Sequence, residues 1–199
     1  MTTASSQAES ANEAPVPVTI ITSEMIEILG YNKNLNQILA AYIPGVSEVA
    51  SSNLDNIAIH GAYTSSQENI LIMENGHRMN TRSTNLGRTD YAINTQKIDH
   101  IEVLRGPASS LYGNVALTAV VNIIRKDGTS VNGLSAQYGY GSLHTHKADL
   151  LAGTHFMNCD VFAWASLYSS AGEDRYLSAE LDQSLDIYRV AGPPSTYGG

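Results

Sequence analysis

Nowhere in this chain do about twenty apolar residues follow one another, so no helix is long and apolar enough to cross a membrane. A single cysteine, Cys159, excludes an intrachain disulfide and says little about redox compartment. Phenylalanine and tryptophan are scarce, at two and one, whereas tyrosine supplies eleven of 199 residues. Charged residues make up only 15%, and 19 acidic against 11 basic residues leave a net charge of −8. With no basic run in the sequence, nucleic acid is excluded as a partner. Enzyme signatures are missing too. No Gly-x-Ser-x-Gly surrounds Ser109 or Ser110, and no Gly-Lys-Ser/Thr follows the Gly106–Gly113 stretch. His144 and His146 share a face if extended, but no third ligand accompanies them, so no metal is expected. These absences predict a protein that is not an enzyme and needs no cofactor. Sparse charge with abundant Tyr, Gly, Ser and Asn suits β-structure and loops.

The most informative stretch runs from Ile98 to Lys126. Ile98, Ile101 and Val103 stand among Asp99, His100 and Glu102, the pattern of a half-buried strand. Gly106-Pro107 breaks it, and Pro107 can open a short helix through Leu111 because it has no N–H to lose there. Gly113 supplies a positive-φ stop. Val120, Val121, Ile123 and Ile124 then form a nearly continuous β-branched run, which predicts a strand buried on both faces.

These residues resemble the plug-domain signature of TonB-dependent outer-membrane receptors. The matching pieces are Arg105-Gly106-Pro107, Leu111-Tyr112-Gly113 and Val120-Val121-Asn122-Ile123-Ile124. Where that family usually has two glycines before the last strand, this chain has Thr118-Ala119. Where it usually has Ile-Arg-Gly, this chain has Ile59-His60-Gly61. Histidine, neutral over much of the physiological range, makes no bidentate ion pair.

The resemblance implies an α+β plug, a small mixed four-stranded sheet with short helices, followed by the first antiparallel strands of a transmembrane β-barrel. The expected divisions are a leader over 1–15, a plug over 16–127 and the start of a barrel over 128–199. Within the plug, Thr22 or Ser23 caps a helix over Glu24–Leu29 that Gly30 ends. Asn34 with Gln37 reads as a capping box for a second helix, stopped by Pro44-Gly45. Short strands are expected over Val46–Val49, Ile57–Ile59 and Ile70–Met73, and Asn75-Gly76 predicts a tight hairpin turn. Beyond Lys126, Leu134, Ala136, Tyr138 and Tyr140 alternate with Ser135, Gln137, Gly139 and Gly141. That is the period of a barrel strand. Two further runs, Lys147–Phe156 and Asp160–Tyr168, follow it. Phe162, Trp164 and Tyr168 fall on one face of the last, where aromatics suit interfacial girdles.

Functionally, the resemblance implies gated uptake of a siderophore–iron complex or similar nutrient across the bacterial outer membrane. Arg78, Arg82 and Arg88, with Tyr63, are the candidate substrate contacts; three arginines in one loop region make a basic patch on an acidic chain. Arg105 and Glu102 are the candidate plug-to-barrel contacts. Val16 and Val18 are candidates for strand addition by TonB, although Val18–Ile21 reads first as the opening plug strand. The expected partners are TonB with its inner-membrane energy-coupling complex, the nutrient, and outer-membrane lipid. A signal segment is expected upstream, since Met1–Glu13 lacks an apolar core. A wall of about 22 strands cannot fit in this length, so the chain reads as the N-terminal piece of a receptor. The competing reading is a soluble α+β module that binds a ligand or peptide without transport. The outer face of residues 134–168 separates the two.

Overall fold

The computed structural model describes residues 18–50, 55–59, 61, 69–83, 87, 89, 93–106, 112, 115–157 and 159–172. Helix α1 (Ser23–Leu29) follows strand β1 (Val18–Thr22); the Thr22 side chain caps it and Gly30, at φ 106, ends it. Helix α2 (Leu35–Tyr42) starts on the expected capping box: Asn34 Oδ1 accepts the Gln37 N–H at 2.9 Å, and Gln37 Oε1 accepts the Asn34 N–H at 3.4 Å. Strands β2 (Val46–Ala50) and β3 (Asp55–Ile59) pair with each other as a separate hairpin. Next come β4 (Ile70–Glu74), the two-residue β5 (His77–Arg78), a 3-10 turn over Thr95–Lys97, β6 (Ile98–Arg105) and β7 (Ala119–Arg125).

The central sheet has five strands, in the order β1-β6-β7-β4-β5, rather than four. It is mixed as expected: β4 and β7 run parallel, and the other pairs are antiparallel. The extra strand escapes the sequence because β5 is too short to show a period of two. Strand β7 is buried on both faces. Val121 and Ile123 join Ile21, Ile101 and Val103 in a core beneath the helix residues Ile26, Leu35, Ile38 and Leu39. Val120 faces the other way, with Leu71, Met73 and Leu104. Each fully buried side chain of this size contributes about 1.5–3 kcal/mol by leaving water.

Asn75 and Gly76 make the predicted turn, at φ 48 and φ 78. β7 holds that turn: the Asn75 N–H donates to the Ile123 carbonyl at 2.8 Å, and the Gly76 N–H to Asn122 Oδ1 at 3.0 Å. Pro107, Leu111, Gly113 and His60 lie outside the described residues.

A short helix, α3 (Gly128–Val131), leads into an antiparallel three-stranded sheet of β8 (Gly133–Gly141), β9 (Thr145–Phe156) and β10 (Cys159–Ser169). Register sorts its side chains. Leu134, Ala136, Tyr138 and Tyr140 of β8 lie level with Ala152, Leu150, Ala148 and His146 of β9. Val161, Ala163, Ala165 and Leu167 of β10 share that face. Its large apolar members are exposed. The opposite face carries Lys147, Asp149 and Leu151, all buried, with Tyr31 and Asn94 against the first two.

Candidate functional site at the seam between the sheets

The two sheets meet along a polar seam, which is built around Tyr31 in the loop between α1 and α2. Its hydroxyl donates to Asp149 Oδ2 at 2.7 Å and reaches the Gln137 carbonyl at 3.2 Å. The Lys147 ammonium donates to the Tyr31 carbonyl at 2.8 Å and stands 4.5 Å from the centre of its ring. Asn94 Nδ2 donates to Asp149 Oδ1 at 2.8 Å. The tyrosine ring lies on the backbone of Gly139, where an added Cβ would clash with it. Burial pushes the Tyr31 phenol well above its usual range, and the hydrogen bond and charge of Asp149 push it the same way. Asp149 is only 4% exposed, so these bonds offset the cost of burying a carboxylate.

A second junction centres on Trp164. Its ring stacks on Phe162 at 5.8 Å between centroids and 17° between planes. Lys97 Nζ lies 5.1 Å and the Arg125 guanidinium 5.5 Å from the tryptophan ring. Both cations also face Glu74, at 2.6 Å and 3.5 Å. Trp164 therefore points at the first sheet and not into a lipid-facing girdle, which corrects the expectation for this face. The outward face carries Tyr138 and Tyr140, beside His146, whose Nδ1 lies 2.7 Å from the Tyr138 hydroxyl, and the exposed Phe156 at the end of β9. His144 stands in the β8–β9 turn at φ 50, off the face that carries His146. Among the described residues no three His, Cys, Asp or Glu side chains gather as a metal site.

The other candidates fall elsewhere. Glu102 is buried at 3% exposure and accepts from Asn122 Nδ2 at 3.2 Å, with His100 Nε2 3.8 Å away. Strand alternation puts Arg105 on the opposite face of β6, with Ile101 and Val103; its Nε is buried and makes no hydrogen bond among the described residues. The Tyr112 phenol is raised by burial and then by the charge of Glu102. Arg78 is exposed beside the Asn75-Gly76 turn, its Nη2 3.5 Å from the Thr81 carbonyl. From there the chain runs back along β4, where Asn80 bonds the Ile72 N–H and the Ile70 carbonyl, and Arg82 lies beyond, exposed. Val18 is half-buried on β1, paired with Leu104. Val16, Tyr63 and Arg88 lie outside the described residues. Sequence reasoning missed Tyr31, Lys147 and Asp149. Their only signal was polar residues on the inward positions of β9.

A sheet that turns an apolar face outward and a polar face onto a separate α+β body is the arrangement of a barrel wall on its plug. The family model for the TonB-dependent receptor plug domain matches residues 10–120. The chain belongs to the TonB-dependent receptor family. It is 33% identical over 135 residues to the iron-regulated outer membrane virulence protein of Vibrio cholerae, covering 63% of this chain and 20% of that one. It is 33% identical over 159 residues to the ferric enterobactin receptor of Pseudomonas aeruginosa, covering 71% and 20%. The chain thus spans about a fifth of the length of these curated relatives. Among solved structures it resembles P. aeruginosa FpvA bound to a pyoverdine–iron complex, with a TM-score of 0.64 at 22% identity over 84% of this chain and 22% of that one. It also resembles the ferric-catecholate import receptor Fiu of Escherichia coli, with a TM-score of 0.60 at 25% identity over 80% and 22%. The first sheet with its helices is the plug, and β8–β10 are the first strands of the wall. The family is one of receptors and transporters.

Proposed function

We propose that the chain is the gate and first wall strands of an outer-membrane receptor that takes up a siderophore–iron complex or similar nutrient, driven by TonB. The observation that carries this reading is the two-sided wall sheet seated on the plug through Tyr31, Lys147 and Asp149. An outward face of Leu134, Tyr138, Leu150, Val161 and Leu167 suits lipid, and it disfavours a soluble α+β binding module.

In this reading residues 1–15 form a leader, 16–127 the plug and 128–199 the start of the wall. Substrate is held by Arg78, Arg82 and Arg88 with Tyr63, since arginine recognises anionic oxygens through several N–H groups. TonB takes up the segment at Val16 and Val18 by strand addition. Arg105, with a buried Nε that has no partner among the described residues, and Glu102 contact further parts of the wall. Substrate must bind the closed and open arrangements unequally for its arrival to be signalled to TonB.

The experiment uses the receptor carrying this chain in iron-limited cells. Changing Arg78, Arg82 and Arg88 to alanine together weakens binding of an anionic ferric chelate. Changing Val16 and Val18 to proline leaves binding intact and stops uptake. Unchanged uptake with the proline pair removes TonB from that segment, and recovery of the protein from the soluble fraction overturns the receptor reading.

A further inference from the structure

Between plug and wall lies a pocket of about 380 Å³, whose lining includes Lys33, Asn34, Asn94, Lys97, Lys147 and Trp164. Three lysines are among its lining residues, and among the described residues no Asp or Glu lines it. Two of the lysines have acidic neighbours behind them: Lys97 lies 2.6 Å from Glu74, and Lys147 lies 3.9 Å from Asp149. The Lys147–Asp149 separation exceeds hydrogen-bond reach, so Lys147 has donor capacity beyond its single bond to the Tyr31 carbonyl. Lys33 makes no ion pair among the described residues; its backbone N–H donates to the Gly30 carbonyl and its carbonyl accepts from Thr95. Asn34 adds an independent observation. It is 1% exposed, its Oδ1 is taken by the Gln37 N–H, and its buried Nδ2 has no acceptor among the described residues. Buried amide donors are normally satisfied, and leaving one bare is costly.

We propose that this seam pocket binds a small oxyanion, a phosphate or carboxylate group, between Lys33 and Asn34 of the plug and Lys147 of the wall. Its volume is at the low end for a ligand site, which suits a small anion. Because donors come from both bodies, the bound anion ties plug to wall. The site does not depend on the uptake reading.

The chain's single tryptophan, Trp164, lines the pocket and reports on it. The full chain in neutral detergent is titrated with inorganic phosphate and, separately, with acetate, and chloride holds the ionic strength constant. Emission changes saturably in at least one arm, and the tighter arm identifies the anion as phosphate or carboxylate. Asn34→Asp keeps an oxygen to cap α2 but replaces the donor with a charge; it weakens binding by roughly tenfold or more. Lys33→Gln, at an exposed position, weakens it several-fold and decides the matter if Asn34→Asp does not fold. Lys126→Gln, outside the lining, binds as the parent does. A linear response in both arms, or parent-like binding by Lys33→Gln, overturns the site.

Discussion

The ring of Tyr31 rests on the backbone of Gly139, where no methyl group has room. Gly139→Ala therefore pushes the plug loop off the wall. The expected loss is about 1–3 kcal/mol, the usual range for overpacking. It is read as a lower urea midpoint at unchanged slope for the chain folded in detergent. An unaltered midpoint shows that the ring is not seated there.

Tyr31 also predicts an alkaline limit. Its folded pKa is raised, so its contribution is complete below the ordinary phenol value of about 10 and is lost as pH rises through the folded value. The tyrosinate absorbance of the parent minus that of Tyr31→Phe locates this ionisation. It comes above the ordinary phenol value; a difference spectrum that titrates at that value refutes the prediction.

At the plug-to-wall crossing the sign is reversed. Hydrogen bonds from the Ser130 N–H and hydroxyl region hold the Asp127 carboxyl below its usual value. Asp127 therefore stabilises the fold above the unfolded carboxylate pKa and stops doing so as pH falls through the depressed value. Asp127→Asn flattens that acid-limb dependence of the melting temperature and leaves the alkaline limb alone.

Asn122 joins two parts of the plug, accepting the Gly76 N–H and donating to Glu102. Asn122→Ala leaves both without that partner. A loss of about 1–3 kcal/mol follows, the penalty for the buried Glu102 carboxylate stripped of a bond. Chemical denaturation measures it, and amide exchange at Gly76 accelerates. Slow exchange at Gly76 in the variant contradicts this role.

The outward wall face is tested by charge. Ala165→Arg near the middle of β10 disfavours insertion into lipid vesicles by about 2–4 kcal/mol if the site sits at the bilayer midplane. Ala165→Leu does not. Equal insertion of the two shows that this face does not meet lipid.

Local chemistry made much of the plug legible. The Asn34–Gln37 box, the Asn75-Gly76 turn and the doubly buried β7 depend on neighbours in sequence, and all stand as expected. The period of two likewise marked β8–β10. It did not say which face turned inward, because both faces of β10 carry bulky apolar residues. Trp164 was therefore placed in a girdle when it faces Lys97 and Arg125. The seam itself was beyond reach: Tyr31 and Asp149 are 118 residues apart, and nothing near either announces the other.

Only α3 and its flanking residues join Arg125, the end of the plug's sheet, to Gly133, where the wall begins. That connector is clasped, not slack. Asp127 closes a reciprocal cap with Ser130, the Gly128 N–H and Thr129 hydroxyl both donate to Asp160 at the base of β10, and Gly153 leaves no clearance for a side chain against Val131. A shift of the first sheet is thus passed to the foot of β10 with almost no free travel at this corner. Any parting of the two bodies has to begin on the side away from it, like a door that swings from its post.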